Sequence, residues 1–409
     1  MIYLDYQATT PLAPEVAAAM RPWLETGFAN PHSSHRPGRE AAAAVEVARE
    51  RVIAALNTPL PGREGRGVGP PKAAETPTPE GSLASLAYPP PTPPFQGGKL
   101  YFTAGATEAI NWALKGAASR LAPDRRRIVT VATEHAAVLD TVEYLAGLDF
   151  DVEILPVAPD GLVDLAAVEA ALVKPTGLVA AMLVNNEIGV VQPVAKIGAL
   201  SRAAGALFLC DAVQAFGRVP VPIEACDFVA ISAHKVHGPK GIGALWVREG
   251  VELEPLLHGG GQEGGLRSGT LSPALCVGFG ETAGLLVQRA GKDREHVARL
   301  WGEARAAMPG WTLNGSAEHR YRGNINLRLD GVDSARLISE LRRIAFSAGS
   351  ACASGSGRPS HVLAALGLSD REARSSIRLG FGRYTAEDEL AEALALIDAA
   401  AKRQLDFAA

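Results

Sequence analysis

The sequence predicts an α/β protein with a mainly parallel central sheet and a smaller C-terminal α+β unit. Three observations carry this. Short apolar runs alternate with helical patterns from Tyr101 to about Trp246, as buried parallel strands and their crossover helices do. Polar residues gather where those runs end, which is where open α/β sheets bind ligands. After Pro273 the pattern changes to a long helical segment followed by mixed strands and helices.

In chain order, "RIVTVAT", "LVAAMLVN", "ALFLC", "FVAIS" and "GALWV" are rich in Val, Ile, Leu and Phe and stop at polar residues. Between them "HAAVLDTVEYLAGL" and "PVAKIGALSRAAG" read as helices. The strand ends carry Glu134 with His135, then Asn185-Asn186-Glu187, then Asp211 with Gln214, then Ser232 to Lys235. Four such clusters imply one shared pocket. Further on, "NINLRLD", "AFSAGS" and "SSIRLGF" read as strands, with helices at "DSARLISELRR", "HVLAALG" and "AEDELAEALALIDAAAKRQ". We expect a large cofactor-binding domain over 1–272, with an N-terminal segment packing on the small domain, and a small domain over 273–409.

Residues 58–98 stand apart, with eleven prolines and seven glycines in 41 positions. Such a stretch buries too little apolar surface to order itself, so an exposed, mobile insertion of unassigned purpose is expected.

The 409 residues carry a formal net charge of -4, which gives no reason to expect nucleic acid or an acidic membrane as partner. Cys210, Cys226, Cys276 and Cys352 are too widely spaced for a C-x-x-C metal clip or a secreted disulfide framework, so no metal is expected. The start "MIYLDYQATTPLAPE" has no basic flank and no long apolar stretch, so no signal peptide is expected. No run is long enough to span a bilayer. These features together predict a cytoplasmic protein with reduced thiols.

Four residue patterns point to chemistry. Lys235, in "FVAISAHKVHGPKG", follows a buried-type strand, and a lysine held in a pocket can lower its pKa and form a Schiff base with an aldehyde. A solvated loop lysine is the ordinary alternative, weakened here by His234 and Ser232 beside it and by the polar clusters opposite. In "YFTAGATEAINWALKGAA" small residues lead into Ala106, Thr107 and a helix, whose first amides form a phosphate site. Asp211, deep at a strand end, would be costly to bury unpaired, whereas a protonated pyridine nitrogen would pair with it. Gln214 and Asn186 are placed to reach the phenolic side of the same ring. Phosphate cup, carboxylate and Schiff-base lysine together point to pyridoxal 5'-phosphate. The fourth pattern is a thiol: Cys352 sits in "SAGSACASGSG", among only Gly, Ala and Ser, where nothing packs around it as around a structural cysteine.

With these residues in place, the chain resembles the NifS/IscS-type cysteine desulfurases of the class-V aminotransferase superfamily, fold-type-I pyridoxal phosphate enzymes. The resemblance rests on "YLDYQATTP", "NPHSSHRPG", "TAGATE", "TEHAAVLDT", "VNNEIGVVQP", "CDAVQAFG", "SAHKVHGPKGIGAL", "GGGQEGGLRSGT", "SAGSACASG" and "SSIRLGFGR", spread nearly end to end. It implies that Lys235 holds the cofactor's aldehyde and that His135 stacks on its ring and assists proton transfer. Asp211 would pair with the ring nitrogen, Asn186 and Gln214 would contact the ring oxygen, and Ala106, Thr107, Ser232 and His234 would hold the phosphate. Thr270 would reach the phosphate of a neighbouring subunit, implying a homodimer. Arg378, helped by Asn30, would bind the carboxylate of L-cysteine. Cys352 would take the sulfur as a persulfide, leaving L-alanine, and pass it to an acceptor protein: an iron–sulfur scaffold, or a tRNA- or cofactor-thiolation protein. The segment after Cys352 is as long as in the long-loop branch, and Arg358 nearby would favour the thiolate.

The chain departs from the family pattern at the 58–98 insertion, at Ala104 in place of a serine and at Ala233 in place of a glycine. The alternatives are a selenocysteine lyase or another class-V enzyme, which need no such thiol, and a catalytically idle sulfur-relay scaffold, which needs no filled site. "HGGG" at His258 suggests a hydrolase oxyanion loop, but the chain has no G-x-S-x-G for it to serve.

Overall fold

A computed structural model describes residues 1–58, 97–349 and 360–408. Most of the 58–98 insertion, Cys352 and Arg358 therefore lie outside the described residues.

The centre is a seven-stranded sheet in the order Gly98–Thr103, Gly243–Arg248, Phe228–Ser232, Leu207–Asp211, Leu178–Met182, Arg127–Val131, Asp151–Leu155. Only Gly243–Arg248 runs against its neighbours. The strands Arg127–Val131, Leu178–Met182 and Phe228–Ser232 are buried at every position, because helices cover both faces. One face packs Phe208, Val229, Ile231 and Trp246 with Val52 and Phe279 from helices Arg36–Asn57 and Pro273–Ala307. The other packs Leu209, Phe228 and Leu245 against Trp112 and Val138, from helices Ala106–Ala118 and Ala136–Ala146. Where Arg36–Asn57 crosses Pro273–Ala307 the backbones approach closely: a Cβ on Gly280 would lie 2.6 Å from the Cα of Ala48.

A second core forms around the antiparallel strands Ser376–Gly380, Asn324–Arg328 and Thr312–Leu313. Leu327, Ile377 and Leu379 pack there against Leu337 of helix Ser334–Glu340 and Leu394 and Ile397 of helix Glu387–Ala408. The stretch expected as a strand at "AFSAGS" is shorter than that reading. Ile344–Ala345 forms a two-residue strand and Ser347 a single bridge to Arg378, since the chain turns away at the following small residues.

Two elements tie the cores together. Helix Pro273–Ala307 gives Cys276, Phe279 and Leu286 to the first core and Leu300 and Ala304 to the second. The N-terminal strand Ile2–Tyr3 pairs in parallel with Ile344–Ala345, and Asp5 bridges to Gly380. No helix among the described residues is long and apolar enough to cross a membrane.

Candidate functional site

The carboxyl ends of four adjacent strands bring their side chains to one place. Arg127–Val131 leads to Glu134 and His135, and Leu178–Met182 leads to Asn186 and Glu187. Leu207–Asp211 ends on Asp211 itself, and Phe228–Ser232 runs from Ser232 into the short turn Ala233–Lys235.

Lys235 is pinned from an unexpected side. Its Nζ donates to the carbonyls of Gln7 at 2.7 Å and Ala8 at 2.8 Å. Burial pushes its amine down to about 8, helped by the positive charges of Arg218 and Arg378. Such an amine is partly neutral at physiological pH and available as a nucleophile. Asp211 is buried, and burial pushes its carboxyl up. The amide of Val213, donating at 2.9 Å, and the charge of Lys235 oppose that shift.

His135 caps helix Ala136–Ala146. Its Nδ1 accepts from the Ala137 amide at 3.0 Å, which in the neutral ring leaves the proton on Nε2. Burial and the charge of Lys235 push His234 down to about 4, and its Nδ1 lies 3.1 Å from the Thr9 hydroxyl. Thr10 clamps the same turn, donating to the His234 carbonyl from its amide at 3.0 Å and its hydroxyl at 2.9 Å.

Helix Ala106–Ala118 begins with no side-chain cap, so its first amides, including those of Ala106 and Thr107, are open to an anion. Its start lies against the sheet at Gly243, the register partner of both Thr103 and Ser232. A Cβ at Gly243 would meet Gly105 C at 2.7 Å and Ala106 N at 2.9 Å, so only glycine admits this approach. The hydroxyl of Ser232 and the amide of Asn186 have no partner among the described residues.

This arrangement fits pyridoxal phosphate. The uncapped helix start beside Ser232 suits a phosphate, the buried Asp211 suits a cationic ring nitrogen, and the Lys235 amine suits an aldehyde. Gln214 is less free than the sequence suggests: its Nε2 donates to the Gln7 carbonyl at 2.9 Å, and its Oε1 accepts from Arg218.

Arg378 is almost fully buried. It donates from Nη2 to Asp5 at 2.7 Å and from Nη1 to the Asn186 carbonyl at 3.1 Å, while its Nε has no partner among the described residues. Two sequence candidates are not brought to this group. Asn30 is exposed, and among the described residues its side chain accepts only from the His32 amide; Thr270 is exposed beyond the turn Glu263–Gly265.

Sequence reasoning did not single out Asp5, Gln7, Arg218, Glu134 or Glu187 individually. Glu134 is fully buried. Burial holds its carboxyl well above the usual range, with Oε1 accepting from the Met182 amide at 2.7 Å. Glu187 accepts from the Ser360 hydroxyl, and a Cβ on Gly349 would lie 3.5 Å from its Oε2. The two described residues flanking 350–359 thus both stand at Glu187, next to Asn186. Asp5 and Gln7 lie inside the quoted "YLDYQATTP", the one signal that pointed to them.

The model of the class-V aminotransferase family matches residues 2–61 and 96–392, so residues 62–95 of the proline-rich stretch fall between the matched parts. The cysteine desulfurase IscS of Rickettsia bellii is 41% identical over 405 residues, covering 97% of this chain and 90% of the relative. Among solved structures, a NifS-like protein superposes with a TM-score of 0.83 at 30% identity, covering 97% of this chain and 98% of the other. SspA in complex with cysteine gives a TM-score of 0.77 at 32% identity, covering 94% and 100%.

Proposed function

The chain belongs to the class-V aminotransferase family, in its cysteine desulfurase branch, and from that premise we propose that it moves the sulfur of L-cysteine onto its own Cys352, leaving L-alanine. The observation that carries the reading is the meeting, at four strand ends, of an amine with a lowered pKa, a buried carboxylate and an uncapped helix start. Pyridoxal phosphate, when bound there, supplies the electron sink that weakens the bonds at the substrate's α-carbon.

The chain's own residues do the rest. Ala106, Thr107, Ser232 and His234 would hold the phosphate, Asp211 would keep the ring nitrogen protonated, and Asn186 and Gln214 would contact the ring oxygen. Arg378 takes the substrate carboxylate, its charge already oriented by Asp5. With the cofactor bound, the Lys235 amine would accept the substrate's α-proton, and His135, whose Nε2 carries the proton in its neutral form, would assist proton transfer. The Cys352 thiolate attacks the substrate sulfur. A sulfur–sulfur bond forms as the carbon–sulfur bond breaks, and the electron pair left on carbon is protonated to give alanine.

The acceptor is a protein thiol or scaffold of iron–sulfur assembly or of thiolation, reached in the cytoplasm. We read the active form as a homodimer in which the exposed Thr270 serves the partner's phosphate. Asn30, with no contact to Arg378 here, is retained as a substrate contact only on the family resemblance.

The test is alanine release from L-cysteine under reductant, wild type beside Cys352→Ala. We expect alanine from wild type, at least a hundredfold less from the variant, and the same cofactor absorbance in both. Equal rates would remove Cys352 from the mechanism. A colourless wild-type protein would remove the enzyme reading itself.

A further inference from the structure

A cavity of about 350 Å³ is lined by Lys235 together with Tyr6, Gly217 and His237. It shares Lys235 with the site above and none of that site's other proposed residues. Its volume falls in the range of small-molecule pockets.

Its charge is one-sided. Arg218, Arg294, Arg320, Arg322 and Arg383 line it, against two carboxylates, Asp293 and Glu318. Asp293 is already engaged by Arg383 at 2.7 Å. No carboxylate pairs with any of the other four arginines among the described residues. Arg320 is nine-tenths buried; its Nη groups are spent on the carbonyls of Ser316, Ile188 and Asn324, and its Nε has no partner among the described residues. Burial pushes Arg218 and Arg294 below the ordinary guanidinium value and Arg320 down to about 9. Leaving buried charge unpaired is costly, and an anion seated among them would remove that cost. Leu286, Val297 and Tyr321 give the same cavity an apolar wall.

We propose that this cavity is a second binding site, for a phosphate monoester carried on a small apolar body, and that Lys235 senses its occupancy through Arg218. A dianion suits several guanidinium groups better than a carboxylate does, since planar guanidinium forks recognise phosphate in pairs. The coupling is direct: Arg218 donates to the Lys235 carbonyl and to Gln214 Oε1. Neutralising Arg218 weakens the positive field at Lys235.

The test uses the holoenzyme, whose phosphate cup is filled by cofactor, titrated with phenyl phosphate by calorimetry. We expect sub-millimolar binding, at least tenfold weaker for inorganic phosphate and at least fivefold weaker for benzoate. Arg294→Gln should weaken it at least fivefold, and Ala298→Trp, which fills the cavity, should abolish it. Neither residue belongs to the catalytic group, so both variants should keep alanine release. No binding by wild type, or binding undiminished in Arg294→Gln, overturns the site. Equal affinity for inorganic phosphate overturns the apolar body, and equal affinity for benzoate overturns the phosphate head. Bound phenyl phosphate should also shift the pH midpoint of the cofactor's absorbance upward, and an unmoved midpoint overturns the coupling.

Discussion

Lys235 does its work because of where its neighbours' charges lie. Burial alone disfavours the ammonium form, and Arg218 and Arg378 add to the same effect, bringing the amine to about 8 from the ordinary 10.5. The neutral amine is the nucleophile toward an aldehyde. Capture of added pyridoxal phosphate by the emptied protein should therefore speed up as pH rises through about 8, then level off. An ordinary lysine would still be gaining past pH 10. Following the cofactor's absorbance after mixing, from pH 6.5 to 10, checks this, and a rate still climbing at pH 10 would sink it. Replacing Arg218 with Met should raise the midpoint, by roughly half a unit to one unit for a charge this close. The sequence made Lys235 itself legible, since a lysine after a buried strand beside other polar strand ends is an unusual placement. It did not reveal what holds Lys235 still, because the acceptors are the carbonyls of Gln7 and Ala8, and a carbonyl carries no residue identity.

At the scale of elements, the apolar runs announced five of the seven strands of the main sheet, and both faces of those strands are covered as such runs require. The reversed direction of Gly243–Arg248 was not legible, since a run of "GALWV" reads the same either way. Its consequence is functional. Reversal sets Gly243 at the strand's beginning, level with the carboxyl end of Phe228–Ser232 and against the start of helix Ala106–Ala118. A methyl group there meets backbone atoms of Gly105, Ala106 and Ile231 at under 3.0 Å, and backbone cannot step aside as a side-chain tip can. Gly243→Ala should displace the helix start and with it the amides proposed to hold phosphate. We expect cofactor affinity to fall at least tenfold, measured by equilibrium dialysis, with circular dichroism little changed. Wild-type affinity in that variant would mean that the phosphate is not held at this helix start.

Across the whole molecule, the first ten residues act as a strap between two cores. Ile2–Tyr3 pairs with Ile344–Ala345, Asp5 meets Arg378, and Gln7, Ala8 and Thr10 hold the turn that carries Lys235. Contacts between residues over two hundred positions apart leave no local pattern, so the expectation of an N-terminal segment packing on the small domain named none of the contacts that make the joint. The joint is also electrostatic. Arg378 is almost wholly buried, and Asp5 is the only carboxylate paired with it among the described residues. Removing one partner of a buried pair strands the other charge, at a cost of about 3 kcal/mol, whereas removing both leaves no charge to strand. Asp5→Asn should therefore lower the stability of the protein by about that amount. Arg378→Met placed in the same chain should recover part of the loss. Denaturant midpoints of wild type, the two single variants and the double variant give the coupling directly. If the two losses simply added, Asp5 would be a neighbour of Arg378 and no more, and the strap would owe its hold to strand pairing and the carbonyls at Lys235. If they couple, the charge that orients the proposed substrate arginine is also one that fastens the chain's beginning to both cores, so cysteine KM should rise in Asp5→Asn under conditions where that variant is still fully folded.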